Sequence, residues 1–373
     1  MAGQGRPLRP RLTWEHPDLP PSAPAHLRLS LRAENPPQSG PADGPANLLL
    51  EGENESVLQA LLPDWEDRLD FIYADPPFST GKTFLARIGR GEDSRRPENW
   101  RTTEGYEDRW DDPGTYLEML SRRLRWMHRL LSPTGSLCLH LDWRMSAYGR
   151  LLLDDIFGSD RLINEIVWFY HGPSPNRSSF KRKHDTLLLY GKSRDYFFDS
   201  DAVRVPYQSS TVETFASAKA GFGKVPDLAR GKVPEDWWYF PVVARLHRER
   251  TWYPTQKPEA LLERLVRASC PAGGVVGDFF VGSGTTVAVA ERLGRGWIGC
   301  DARPLAIETT YRRVMLNGLR APLEVWRAGA RRIEELVPIG SIRPEEGRDR
   351  VELTGLGAVQ GDAPDFPADV VLW

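Results

Sequence analysis

Apolar positions fall into two alternating kinds of pattern along this chain. Unbroken runs of four to seven residues, as in Asn47-Leu-Leu-Leu50, Phe71-Ile-Tyr-Ala74 and the stretches 135–141, 274–278 and 296–300, are too short for helices and read as buried strands. Between them lie stripes at helical spacing over 56–62, 116–131, 147–157 and 285–293, the last ending at Gly294. Strand runs alternating with helical stripes predict an α/β fold, a mostly parallel, doubly wound sheet with helices on both faces. Segments 1–46, 79–112, 170–250 and beyond about 336 carry no such period and read as an arm, insertions and a tail.

Composition refines this picture. A hydrophobic fraction of 40% and 13 tryptophans supply a large core. No stretch reads as a membrane span, and the N-terminus has no apolar segment of a secretory signal. Cys138, Cys270 and Cys300 stand apart in apolar surroundings, with neither disulfide nor zinc spacing, which fits a reducing cytoplasm and no metal. The net charge of −2 gives no global attraction to a polyanion, so charge must be segregated if one is bound. It is. The 79–112 insertion mixes acids with Arg87, Arg90, Arg95, Arg96, Arg101 and Arg109. Within 170–250, Arg177, Lys181, Arg182 and Lys183 form one basic cluster and Arg245 and Arg248 another, on either side of Trp237-Trp-Tyr-Phe240. Basic side chains beside aromatics suit a phosphate backbone around an extruded base.

Two blocks carry chemistry. In the first, the 274–278 strand ends in Asp278 and runs through Phe280, Gly282, Ser283, Gly284 and Thr285 into a helix, and the next strand ends in Asp301. Glycines between strand and helix let the chain turn tightly and a ligand approach the backbone, while an acid about twenty residues on suits a ribose diol. A dinucleotide fold shares this layout, but Val287 stands at its third small position. Asp278, poorly placed for a pyrophosphate, suits a cation instead. In the second block, the 71–74 strand stops at Asp75-Pro76-Pro77-Phe78. Two prolines fix the backbone, remove its N–H donors and leave rigid carbonyl acceptors. Asp75 adds an acceptor and Phe78 a flat face. An aromatic amine is a poor nucleophile, and acceptors on its hydrogens favour a pyramidal nitrogen, so catalysis there is positioning and electrostatics.

With Leu50-Glu-Gly-Glu-Asn54, Thr134-Gly-Ser-Leu-Cys-Leu-His140-Leu-Asp142, Asn164-Glu-Ile-Val-Trp168, Lys183-His-Asp185 and Tyr253-Pro-Thr-Gln-Lys257-Pro258 in order, the chain resembles the β-class amino-methyltransferases of DNA from about Leu48 to about Val314. It is most similar to type III modification subunits and their stand-alone relatives. Phe279 and Phe78 depart from the commoner Pro and Tyr of that family.

The resemblance implies a circularly permuted, Rossmann-like fold on a seven-stranded sheet, with the DPPF-bearing part at 47–169, target recognition at 170–250 and the cofactor part at 251–335. It implies S-adenosylmethionine (SAM) as methyl donor, double-stranded DNA as substrate and a bacterial cytoplasm. Thr255, Gln256 and Lys257 join the cofactor residues, and Glu53 faces the cofactor adenine. Asp before Pro-Pro tilts the target to adenine N6 over cytosine N4. A homodimer and a restriction subunit remain open, as do methylation of RNA or of a protein amide and a DNA-binding scaffold without activity.

Overall fold

A computed structural model of the protein describes residues 22–33, 46–87, 102–172, 177–216, 227–244 and 247–329. Much of the expected arm and all of the expected tail lie outside these residues. So do Arg245 and, in the charged insertion, Arg90, Arg95, Arg96 and Arg101.

The strands are β1 (Leu27–Ala33), β2 (Asn47–Glu51), β3 (Leu69–Ala74), β4 (Lys82–Arg87), β5 (Thr102–Asp108), β6 (Leu131–Leu141), β7 (Leu162–Phe169), β8 (His184–Gly191), β9 (Trp237–Tyr239), β10 (Val275–Asp278), β11 (Gly296–Asp301) and β12 (Leu323–Ala328). The helices are α1 (Asn54–Trp65), α2 (Pro113–Leu130), α3 (Ser146–Ile156), α4 (Ser209–Ala216), α5 (Glu259–Ser269), α6 (Thr285–Arg292) and α7 (Pro304–Asn317). Ten strands form one sheet in the order β1-β12-β2-β11-β10-β3-β6-β8-β7-β9, and β4 pairs with β5 in a separate hairpin.

The central run from β2 to β7 has seven strands, and the sequence reading named five of them, β2, β3, β6, β10 and β11. All its pairs are parallel except those of β8, which runs against β6 and β7. β12 and β1 extend one edge and β9 the other. Three corrections to the sequence reading follow. The sheet is longer than seven strands. The 170–250 stretch contains the core strand β8, whose residues from Asp185 to Gly191 are all buried. Such a run, apolar on both faces, has no alternation to mark it, and the polar His184-Asp185 start hides it among basic loops. The 79–112 insertion contains the β4–β5 hairpin, in which Phe84 stacks on Tyr106.

Alternation along the strands sorts the core into two layers. Leu50, Ile72, Ala74, Leu137 and Leu139 face one way, onto Val57 and Leu58 of α1, Leu120 and Leu124 of α2, and Leu152 of α3. Leu49, Phe71, Tyr73, Cys138 and Leu187 face the other way, onto Leu261 and Leu265 of α5, Val287 of α6 and Val314 of α7. The permutation is visible in the pairing: β2 and β3, early in the chain, take the late β11 and β10 as parallel neighbours. Strand order reverses between β10 and β3, where an open α/β sheet leaves a crevice at its carboxyl edge.

Candidate active site

That crevice is a cleft of about 280 Å³ lined by both blocks found in the sequence. Asp75, Pro76, Pro77 and Phe78 come from the end of β3. Asp278, Phe280, Gly282, Ser283 and Thr285 come from the β10–α6 turn, Asp301 from the end of β11, Thr255 and Lys257 from the loop before α5, and Glu53 from the turn before α1.

The DPPF segment is held from outside the sheet. Asp108, fully buried at the end of β5, accepts from the backbone N–H groups of Phe78 (3.1 Å), Ser79 (2.8 Å) and Thr80 (2.9 Å), from the Thr80 hydroxyl (2.7 Å) and from the Trp110 indole (3.2 Å). Ser79 adopts φ +56°, a left-handed conformation that a side chain disfavours and that these bonds sustain. The Tyr116 hydroxyl donates to the Pro77 carbonyl at 2.8 Å. Both proline carbonyls were expected to stand free. Pro77's is taken, and the Pro76 carbonyl is the one without an intramolecular donor among the described residues.

Asp75 is the hub of a buried polar chain. Its Oδ2 accepts from Lys257 Nζ at 2.5 Å. Its Oδ1 has no hydrogen-bond partner among the described residues and lies 3.8 Å from His140 Nδ1. Burial, and then the nearby Asp75 carboxylate, raise the Tyr73 hydroxyl well above the usual phenol range, and this hydroxyl shares a hydrogen bond of 2.6 Å with His140 Nδ1. On the other side of the ring His140 Nε2 lies 3.2 Å from Asp185 Oδ2, and because an ionised carboxylate can only accept, Nε2 is the donor there. Burial alone would raise the Asp185 carboxyl, but the hydrogen bond from His140, with help from Lys257 and Tyr170, outweighs it and holds the group below its ordinary value. Phe78 and Trp168 flank the His140 ring, each with centroids 5.5 Å away. His140 and Asp185 stood in the sequence only as parts of family-like motifs, and their link to Asp75 depends on β8 lying beside β6.

The cofactor side is equally specific. Asp278 is 2% exposed, and its Oδ1 accepts from Phe280 N at 3.0 Å. Burial drives its pKa up to about 7 against hydrogen bonds from Thr286 and Phe280, with Asp75 and Asp301 adding repulsion. Asp301 Oδ2 accepts from Gly282 N, and its Oδ1 from Arg303 N, both at 3.0 Å. Burial raises this carboxyl too, opposed by those backbone bonds. Gly282 turns at φ +49° beside Tyr253 and lines the pocket. Arg313 of α7, absent from the sequence reading, braces the turn from behind, donating to Ser283 O (3.0 Å), Thr285 Oγ1 (2.9 Å) and Glu259 Oε1 (2.7 Å).

Three cofactor residues expected from sequence have other partners. Gly284, at φ +72°, directs its missing Cβ at Thr310 of α7, within 2.7 Å, so it serves helix packing. Gln256 is buried outside the pocket wall and ties Thr251 N (2.8 Å) to Glu249 O (2.5 Å). Glu53 reaches the cleft, but its Oε2 caps α1 on Glu55 N (2.9 Å) and Ser56 N (3.2 Å), and its Oε1 pairs with Arg123. Of the residues expected at DNA, Arg177, Lys181, Arg182 and Arg248 are exposed and Lys183 is half-buried. Arg182 stacks over Trp143, just beyond β6, at 3.9 Å, placing this loop beside the carboxyl edge that holds Asp75.

The pocket passes a simple fit test for a nucleoside with a charged tail. Asp278 is a buried carboxylate that accepts no hydrogen bond from a cationic side chain among the described residues. Asp301 presents carboxylate oxygens at the next strand end, and a Cβ at Gly282 would press on Tyr253 at 3.3 Å. A doubly wound sheet with this pocket, next to an acceptor-bearing aromatic clamp, defines an amino-group methyltransferase. Residues 69–312 match the family model for N6/N4 methyltransferases, described as DNA methylase, and the chain belongs to that family. It is 28% identical to the type II methyltransferase M.BglII of Bacillus subtilis over 77% of this chain and 74% of that protein. It is also 28% identical to the type II methyltransferase M.HpaI of Haemophilus parainfluenzae, over 69% and 72%. A DNA modification methylase of Thermus thermophilus, solved with S-adenosyl-L-methionine, superposes with a TM-score of 0.48 at 21% identity, over 77% of this chain and all of that one. Among the described residues no helix is long and apolar enough to cross a membrane.

Proposed function

We propose that the protein transfers a methyl group from SAM to the exocyclic amine of a base extruded from double-stranded DNA, and that the base is adenine, modified at N6. The observation that carries this reading is the juxtaposition of Asp75, the Pro76 carbonyl and the Phe78 ring with the Asp278–Asp301 pocket in one cleft. When bound, SAM supplies an electrophilic methyl on a sulfonium. Phe78 would hold the plane of the base. Asp75 and the Pro76 carbonyl would accept the two amine hydrogens, which drives the nitrogen towards the pyramidal geometry of attack and stabilises the positive charge that develops on it. Asp278 would meet the cofactor ammonium, and Asp301 the ribose hydroxyls. Phe78 in place of a tyrosine changes nothing in this scheme, because the ring face is what the base requires.

Recognition of the DNA sequence is assigned to the loops 170–183 and 192–250 around β8, with Arg177, Lys181, Arg182 and Lys183 on phosphates. Self-association and a companion restriction subunit are further expectations of the family resemblance, which size-exclusion chromatography and co-purification test. The activity is tested by single-molecule sequencing of DNA from cells carrying the gene, against an empty vector and the Asp75→Ala variant. A sequence-specific N6-methyladenine signal that the variant lacks is the expected result. N4-methylcytosine would reassign the base, whose amine has the same geometry, and no modification would refute the activity.

A further inference from the structure

Lys257 occupies the position in the cleft that competes with the reaction. Its side chain is nine-tenths buried, and its ammonium donates to Asp75 Oδ2 at 2.5 Å and to Thr255 O at 3.3 Å. The same ammonium lies 5.2 Å from the centroid of the Phe78 ring. A target amine would need these same two contacts, a hydrogen given to Asp75 and a place against Phe78. Among the described residues no other group stands ready to replace the lysine on Asp75: His140 Nδ1 is committed to the Tyr73 hydroxyl, and Asp75 Oδ1 is buried without a donor. Withdrawing Lys257 therefore strands a carboxylate unless an incoming amine takes its place.

The lysine is also tied to the other half of the cleft. Its carbonyl accepts from Thr285 Oγ1 at 3.2 Å, at the start of α6, and its loop lines the pocket beside Asp278 and Gly282. Thr255, two residues before it, sits at φ +58°, an outlier for a β-branched residue that fixes the direction in which the loop presents Lys257. A flexible four-carbon stem lets a compact ammonium swing between partners.

We propose that Lys257 is an internal surrogate for the target amine. It keeps the base clamp closed until a second anion, the carboxylate of the cofactor, draws its ammonium away, so that base entry follows cofactor binding. This rests on the methyl-transfer reading above. Lys257 thus acts through Asp75 as a positioning residue.

The test uses the full-length protein and a duplex carrying its own recognition sequence, located by the sequencing described above. 2-Aminopurine replaces the target adenine, or sits next to a target cytosine, and its fluorescence rises when the base leaves the stack. Wild type should show the rise only with sinefungin, a non-reactive cofactor analogue. Lys257→Met should show it without sinefungin, and Lys257→Arg should restore the dependence at least in part. The wild-type comparison needs no variant, so it decides even if Lys257→Met fails to fold. A wild-type rise equal with and without sinefungin, or a folded Lys257→Met as cofactor-dependent as wild type, overturns the surrogate while leaving methyl transfer intact. DNA without modification in the sequencing experiment overturns both.

Discussion

A carboxyl group as dry as that of Asp278 makes the site sensitive to pH. Its value rises from 3.8 to about 7 because ionisation inside the fold is unfavourable. In the cofactor-free protein this contribution to stability is fully present below the unfolded value near 4 and is lost as pH rises through about 7. A bound ammonium reverses the preference, because it stabilises the carboxylate. Binding below pH 7 must therefore expel a proton, and SAM affinity should climb as pH rises towards about 7 and level off above it. Calorimetry in buffers of different ionisation enthalpy measures the released proton directly, and Asp278→Asn should abolish both the release and the climb. A flat affinity profile would remove Asp278 from the ammonium site. At the same scale, Asp75→Ala should abolish methylation while SAM still binds. Phe78→Ala should slow turnover through weaker stacking, worth about 1–3 kcal/mol for an aromatic–base pair, and Phe78→Tyr should retain activity.

The β4–β5 hairpin acts on the clamp through Asp108, while its Tyr106 hydroxyl lies 3.3 Å from that of Thr255 on the cofactor side. Removing Asp108 frees three backbone donors and leaves Ser79 in a disfavoured conformation, so Asp108→Ala should cost about 1.5–3 kcal/mol for each charge-assisted bond not replaced by water. Turnover should fall far more than SAM affinity, which fluorescence titration alongside a methylation assay would show. Gly284→Ala should act differently. The left-handed conformation alone costs about 1–2 kcal/mol for a side chain, and the new Cβ would strike Thr310. A lower melting temperature is therefore expected even in apo-protein, whereas an unchanged one would show that α7 gives way.

These elements also mark how far the sequence could be read. The 71–74 strand and its proline stop were legible because a buried run ended abruptly, and the glycine turn was legible because strand and helix periods met there. Asp108 was not, because its task exists only once a hairpin distant in sequence folds back over residues 78–80. Glu53 and Gln256 also hold backbone groups close by in sequence, tasks that residue type alone does not reveal. The need for glycine at 284 also comes from Thr310 of α7, a neighbour that the turn pattern does not display.

Over the whole molecule, nearly balanced charge is distributed unevenly, with Arg177, Lys181, Arg182 and Lys183 on one loop at the carboxyl edge of the sheet. Replacing Lys181, Arg182 and Lys183 by glutamine should weaken binding to all duplexes and flatten the log–log dependence on salt by about 0.9 for each phosphate no longer neutralised. SAM affinity should not move. A parental slope in the triple variant would make the loop an ordinary solvated surface.

The interleaving of early and late strands reaches beyond the site. A ribosome releases β2 and β3 long before β10 and β11, the parallel neighbours that complete the middle of the sheet. Until α6 and α7 emerge with those late strands, the layer that covers Leu49 and Phe71 lacks Val287, Ile307 and Val314. The native sheet can thus close only near the end of synthesis, through pairings of very long sequence separation, which makes folding slow and the growing chain dependent on protection from aggregation. The clamp residues are made long before Asp278 and Asp301, so a product truncated ahead of β10 lacks the cofactor half of the cleft.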